Sequence, residues 1–317
     1  MLRDTVDIIK LSWICGLCLA LQLSSCTPVQ PTKPERPRAP NNWSLGILKG
    51  ERLEVLGESA ECPNPVFSKH DVTTPESIFV ADPFLVREGK GWFLFFELFN
   101  KEANKGEIGL ALSDDLCSWR YQGVVLSEQF HLSFPFVFKV GQTYYMVPES
   151  RQAGAIRLYR ATSFPREWAF ERELIVGSYS DPTPVFFNSR WWIFANQSPY
   201  ALAIFSSPSL RGPFVQHPQS PLYIDDPSKA RPAGRPVVID GQLVRFVQDN
   251  REGYGKRVRA MKVNRLTDKH FVEQVRHPDP LIAESGGGWN SFGMHHIAPV
   301  RLLDGSWVAA VDGNSKD

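Results

Sequence analysis

The sequence predicts an all-β fold, a five-bladed β-propeller whose last blade is closed by strands from the N-terminus. The first observation behind this is a unit that recurs five times: a proline, three or four mostly apolar residues, a turn with Gly or Asn, a second apolar and aromatic run, then an acid or amide. The second is composition. The 9 Trp, 8 Tyr, 21 Phe, 25 Pro and 23 Gly in 317 residues favour many short strands and tight turns over long helices. The third is a mismatch at the ends: the fifth unit stops after two strands, and a strand that would continue it sits near the N-terminus. At 43% hydrophobic and 22% charged, the chain is too apolar for disorder. A net charge of +1 gives no electrostatic reason to expect nucleic acid as a partner.

Residues 1–25 read as a signal peptide. Leu11 to Leu23 is apolar apart from Ser12 and Gln22, a run too short for a membrane span and suited to a signal core. It ends in Leu23-Ser24-Ser25-Cys26, which resembles the lipobox of bacterial lipoproteins. The resemblance implies cleavage before Cys26, a lipid on Cys26, and attachment to a membrane of the cell envelope. Thr27 after the Cys implies outer-membrane sorting where the host has one. An ordinary cleaved signal, giving a secreted protein, or an uncleaved anchor are the alternatives. Residues 26–42 form a tether in which Pro28, Pro31, Pro34, Pro37 and Pro40 recur every third residue, the period of a polyproline II helix. At about 3.1 Å per residue it would reach roughly 50 Å.

Residues 43–317 are the propeller body, expected to act as a monomer. The five units begin at Asp82-Pro83-Phe84, Phe134-Pro135-Phe136, Thr183-Pro184-Val185, Arg235-Pro236-Val237 and Ala298-Pro299-Val300. Their second runs are Trp92 to Phe96, Tyr144 to Val147, Trp191 to Phe194, Leu243 to Val247 and Trp307 to Val311. Each pair reads as a hairpin with a tight turn. Third segments such as Ile108 to Ser113 and Ile156 to Ala161 follow, and fourth, more polar ones such as Trp119-Arg120-Tyr121 complete the unit. Four strands in roughly 50 residues make a propeller blade. Trp43 to Leu48 matches the third segment and Leu53-Glu54-Val55 the fourth, so both are expected to finish the last blade and remove its open edge. Cys62 and Cys117 either pair in an oxidising compartment or remain two buried thiols.

In such a ring, residues just before each first strand and at the end of each second strand share one mouth of the axial cavity. The inner set is Asp82, the stretch His131 to Phe134, Asp181, Arg231 to Arg235, and His295-His296. The outer set is Glu97, Glu149, Asn196-Gln197, Asp249 and Asp312. So many ionisable groups at one mouth indicate a polar pocket. Glu97 and Asp312 are expected to close local turns. Arg231, Arg235, Arg245, Arg251 and Arg257 either offer guanidinium forks to an anionic sugar or pair with Asp240, Asp249 or Glu252. Trp191, Trp289 and Tyr254 are candidate sugar-stacking faces. Adjacent histidines in a strand point to opposite faces, so at most one of His295 and His296 is expected to look into the cavity.

Val80-Ala81-Asp82-Pro83, Asp181-Pro182-Thr183-Pro184 and Gly293-Met294-His295-His296 resemble, in blade order, motifs of glycoside hydrolase family 43. The resemblance implies Asp82 as general base and Asp181 as the acid that tunes the proton donor and orients substrate. It also implies a blade-five histidine, His296, facing an axial divalent cation; no cofactor is otherwise required. The family's general acid is a Glu in a Glu-Gly-Pro motif, whereas here Ala233-Gly234-Arg235-Pro236 puts Gly234 at that place. Inverting hydrolysis needs two carboxyl groups about 6.5–9.5 Å apart, which leaves Glu149 as the proton donor to be expected. A further resemblance runs through Phe95-Phe96-Glu97, Phe130-His131-Leu132-Ser133, Met146-Val147-Pro148-Glu149-Ser150, Ala233-Gly234-Arg235 and His295-His296. These strings are similar to the N-terminal propeller region of plant glucosamine inositolphosphorylceramide transferases and their bacterial relatives. In the plant enzymes sugar transfer is attributed to a separate C-terminal domain, so the resemblance implies a glycan-related propeller without that activity.

The expectation is therefore a carbohydrate-active propeller with Asp82, Asp181 and Glu149 as catalytic residues. His131, Arg231, Arg235, Asp249, His295 and Trp289 are expected to contact a glycan, either anionic or simply hydroxyl-rich. A propeller that binds glycan without chemistry, or a cell-surface scaffold, are its rivals.

Overall fold

The computed structural model describes residues 42–316; the expected signal peptide, the expected lipidation at Cys26 and most of the expected tether lie outside these residues. Five antiparallel sheets form the five blades. Blade one is β2 (Ser77–Glu88), β3 (Gly91–Asn100), β4 (Lys105–Ser113) and β5 (Arg120–Leu126). Blade two is β6 (Ser133–Val140), β7 (Thr143–Glu149), β8 (Ala155–Ser163) and β9 (Glu167–Val176). Blade three is β10 (Tyr179–Phe187), β11 (Arg190–Gln197), β12 (Ala201–Ser207) and β13 (Val215–Gln216). Blade four is β14 (Val237–Ile239), β15 (Gln242–Asp249), β16 (Arg257–Leu266) and β17 (Phe271–Val275), with β18 (Ile282–Ala283) also on β16. Blade five is β19 (Ile297–Arg301), β20 (Trp307–Asn314) and the N-terminal β1 (Trp43–Gly50), in register from Trp43↔Asn314 to Gly50↔Trp307.

The second strands read as apolar on both faces because each is covered on both faces. Phe96 joins a core with Leu45, Ile47 and Ala310 of blade five, while its neighbour Phe95 joins a core with Val137 and Met146 of blade two. Further inter-blade cores lie between blades two and three, three and four, and four and five. Phe84, Phe134, Phe136 and Ala298 form a small separate core on the axis.

The structure alters two expectations and decides a third that was open. Leu53–Val55 is one 3-10 turn and not a strand; the outer edge of β1 is covered instead by the bridges Leu45↔Phe67 and Lys49↔Gly57. In blade three the counterpart of Pro83 and Pro135 is Pro182, not Pro184. All three follow a bulge residue with positive φ, Asp82 (52°), Phe134 (46°) and Asp181 (51°), at register breaks 81/84, 133/136 and 180/183. Finally, Cys62 and Cys117 are disulfide-bonded, tying the segment after β1 to the β4–β5 connection of blade one.

Candidate functional site

The mouth is built by two rings. The inner ring comes from the bulges, which turn single side chains out of the pleat. The outer ring comes from the register: Glu97 lies opposite Ala81, Glu149 opposite Ser133, and Asn196 opposite Ser180. Asp312 holds the equivalent place in β20 of blade five, its carboxylate accepting the His296 N–H. In blade four the member is Gln248, whose N–H donates to the Arg231 carbonyl and whose side chain reaches Asp181. Asp249, expected at this place, is one residue further on. A one-residue step in a strand reverses the face, and its carboxylate instead binds Arg251 and Arg259, each at 2.7 Å.

Asp82 sits at the centre, 7% exposed. Its Oδ2 accepts the Phe134 N–H at 3.3 Å, and its own N–H donates to Asp312 Oδ2 at 3.2 Å. Burial pushes its carboxyl up to about 7, with Asp312 and Asp181 adding and His295 and Arg231 opposing. Asp312 is fully buried and is more than a turn-closing acid. Its Oδ1 accepts the N–H groups of His295 and His296, both at 3.0 Å, and its Oδ2 lies 2.7 Å from His295 Nδ1. Despite burial, this partnership holds Asp312 below the ordinary carboxylate range and His295 above the ordinary imidazole range.

On the other side, Arg231 grips Asp181 through Nε and, at 3.3 Å, through Nη2. Gln248 Nε2 donates to the same carboxylate at 3.3 Å, and Asn250 links Gln248 to the Gly255 N–H. That chain of bonds places Tyr254 over the Arg231 guanidinium (5.2 Å) and edge-on to His295 (5.3 Å). Trp43 stacks on His295 at 4.0 Å. Glu149 accepts the Asp181 N–H at 3.1 Å and is pushed up to about 8, by burial first and then by Asp181. Glu149 and His131 border an open polar depression of about 480 Å³ with Arg151, Gln152 and Ser178. His131 receives the Gly106 N–H on Nδ1 at 2.9 Å, so Nε2 carries its proton toward Glu97, 3.4 Å away. Burial lowers the His131 pKa and raises that of Glu97 well above normal. Glu97 therefore belongs to the acidic mouth, in the outer set where the sequence put it, and is more than the turn-closing acid expected there.

Several expected residues stand elsewhere. Arg235 is not at the mouth but midway down the axis, over the rings of Phe84 (5.6 Å) and Phe136 (5.1 Å), donating to the Val137 carbonyl at 2.7 Å. Burial lowers its pKa to about 10. Arg245 is buried against Glu273, and Arg257 pairs with Glu252 and Glu284. With Arg231 held by Asp181, the arginines of blade four leave the mouth acid-rich, which removes the basis for an anionic ligand there. Trp191 packs against Phe138 and Phe186. Trp289 lies off the axis on blade five, over Gly46 and Gly313.

Both histidines approach Asp82, because residues 294–296 precede β19 and are not strand. His296 is wedged between Phe84 (4.7 Å) and Phe134 (5.2 Å), with Nδ1 3.6 Å from Asp82 Oδ1; burial holds it neutral, with a pKa of about 3. The three donors that come together for a cation, within 4.8 Å, are those of Asp82, His295 and Asp312 rather than His296. They fit a metal poorly. Asp312 already accepts three backbone N–H groups and faces the His295 ring, so each of its oxygens is engaged twice. A cation would have to dismantle that hub.

The raised acids make stability pH-dependent. Asp82, Glu97 and Glu149 hold protons in the fold that they would lose unfolded, so each stabilises less as pH rises from about 4 toward its raised folded value, about 7 for Asp82 and about 8 for Glu149. The contribution of His295 is likewise lost as pH rises through its folded value, while that of Asp312 is lost only on acidification below about 4. His131 and His296, buried and held neutral, work the other way up to about pH 6.5, so at about 1.4 kcal/mol per pH unit for each proton involved the melting temperature is expected to fall between pH 6.5 and pH 8. Glu149→Gln should flatten that slope in a thermal-unfolding series. A melting temperature that is level or rises over this range contradicts the assignment.

The family described as "Glucosamine inositolphosphorylceramide transferase 1, N-terminal" matches residues 43–314. The chain is 36% identical over 305 residues to glucosamine inositolphosphorylceramide transferase 1 of Oryza sativa subsp. japonica, covering 88% of this chain and 41% of that protein. It is 35% identical over 298 residues to the Arabidopsis thaliana protein of the same name, covering 86% and 39%. It thus spans about two-fifths of the length of these relatives. Among solved structures, an exo-β-1,3-galactanase from Clostridium thermocellum superposes with a TM-score of 0.54 at 12% identity, covering 65% of this chain and 51% of that one. An exo-1,5-α-L-arabinanase from a bovine ruminal metagenomic library gives 0.51 at 13% identity, covering 69% and 85%. The propeller is of the glycoside-hydrolase kind in fold, and the chain belongs to the family formed by the N-terminal region of glucosamine inositolphosphorylceramide transferase 1.

Proposed function

We propose that the axial mouth binds a hydroxyl-rich saccharide without hydrolysing it. The observation that carries this reading is the pair of rings. Asp82, Glu97 and Glu149 hold protons near neutrality and so donate as well as accept, beside the amides of Asn196 and Gln248. Such a set matches sugar hydroxyls, which also do both. Hydrolysis is disfavoured by two features. Gly234 cannot carry an acid: a Cβ there would lie 1.9 Å from the Ile297 carbonyl oxygen. Asp312, the acid beside Asp82, is held below the ordinary carboxylate range by His295 and so keeps no proton to give a leaving group.

The reading is tested on a glycan array of neutral, acidic and amino sugars, with reducing-end release followed in parallel. The expected result is binding of neutral glycans, about tenfold weaker in Asp82→Asn and in Glu149→Gln. No new reducing ends should appear. Binding unchanged in both variants would overturn the axial site, and sugar release abolished by Glu149→Gln would establish Glu149 as the proton donor of a hydrolase. Export and a lipid on Cys26 are part of the same proposal; the Cys62–Cys117 disulfide supports an oxidising compartment. Labelling with a radioactive fatty acid that survives Cys26→Ser would remove the anchor.

A further inference from the structure

Trp289 is held in an unusual way. Its indole lies flat over two strands of blade five at positions where neither has a side chain. A Cβ on Gly46 of β1 would come within 2.4 Å of the ring, and one on Gly313 of β20 within 2.3 Å. Its Nε1 donates to Glu58 at 2.7 Å, which fixes the rotation of the ring in its own plane. The ring is only partly covered and separates two depressions of about 560 and 610 Å³. The first combines the side chains of Trp43, Trp289 and Pro65 with the polar groups of Ser44, Lys69 and His70. This is a rigid apolar plane within a polar rim, suited to a pyranose, which has a C–H face and a border of hydroxyls. The depression adjoins the mouth with the ring of Trp43 between them, because Trp43 lines it on one side and stacks on His295, the partner of Asp312, on the other.

We propose that this depression is a second saccharide subsite, and that the mouth and blade five together bind an extended oligosaccharide. The inference rests on the reading of the mouth as a saccharide site. One end of the chain occupies the rings around Asp82, and a later unit stacks on Trp289. Length selectivity then comes from blade five, while recognition of the terminal unit comes from the axis.

The test is calorimetric titration of the full chain with ladders of galactose, arabinose and xylose oligomers of one to five units. Affinity is expected to rise about tenfold between one unit and three, corresponding to about 1.4 kcal/mol. Trp289→Phe, which keeps an aromatic on the glycine floor but shortens the plane, and His70→Ala, at the exposed rim, should each remove that increment. Asp82→Asn should weaken every length alike. An affinity independent of length, or an increment that survives both blade-five variants, overturns the second subsite. Binding that ignores Asp82→Asn overturns the axial reading instead, and no binding to any ladder overturns both.

Discussion

Replacing Gly234 by alanine is expected to cost about 3 kcal/mol or more, lowering the melting temperature by roughly 10 °C. The inner segments of blades four and five touch backbone to backbone at this point. The Ile297 N–H donates to the Ala233 carbonyl at 2.8 Å, and the Arg235 N–H donates to the Ile297 carbonyl at 3.1 Å. Gly234 lies between these two bonds with φ +128°, a conformation that side-chain-bearing residues rarely adopt, and its missing Cβ is the space the Ile297 carbonyl fills. The alanine methyl meets backbone, which has nowhere to rotate. Thermal unfolding of Gly234→Ala measures the cost, and an unchanged midpoint would show that the two blades do not make this contact. The same geometry bears on chemistry. Gly234→Glu restores a carboxyl at the place where the family 43 resemblance expects the general acid, yet it is expected to yield an unstable protein and not a hydrolase.

Loss of the Cys62–Cys117 disulfide is expected to be of similar size. The bond closes a loop with a sequence separation of 55, and the chain-entropy relation then gives about 4 kcal/mol. Its position adds a reason. The blade-five strand β1 is not covalently continuous with β20, and the ring is closed by their hydrogen bonds. The segment that leaves β1 is fixed by Asn64, whose side chain accepts from the Ile47 N–H at 2.8 Å and donates to the Ile47 carbonyl at 3.1 Å. The disulfide then ties this segment to blade one across the closure. Urea unfolding of the double variant Cys62→Ser/Cys117→Ser should show a lower midpoint than the parent, with opening beginning at β1. A parent whose midpoint is the same with and without reductant contradicts this role.

Which residues reach the mouth was partly legible. Asp82, Asp181, Glu149 and His131 were found because they follow or precede a strand whose limits the apolar pattern shows. Asp249 was misplaced because side-chain direction depends on register to the single residue, and blade four departs from the others just before it. There β14 begins only at Val237, after the irregular stretch around Gly234. Gln248, the residue that occupies the place, differs from Asp249 in sequence only by standing one step earlier. The arginines show another limit. Of the two readings open for the blade-four cluster the pairing one holds: Arg251 and Arg257 take Asp249 and Glu252, both among the expected partners, while Arg245 takes Glu273 of β17, which was not. Charge in a sequence is a sum, whereas charge at a surface is what remains after pairing.

The sequence by itself determined the fold. Strand periodicity, turn residues and the split last blade are local features, and a repeated local pattern has few ways to bury its apolar faces. It also determined which end of each strand would be polar. Only the tertiary structure decided the electrostatic character of the mouth. The bulges at Asp82, Phe134 and Asp181 turn side chains onto the axis, and five blades then crowd their carboxyls into one buried volume. Their protonation follows from mutual distance and exclusion of water, quantities that exist only once residues as far apart in sequence as Asp82 and Asp312 are brought within reach of each other.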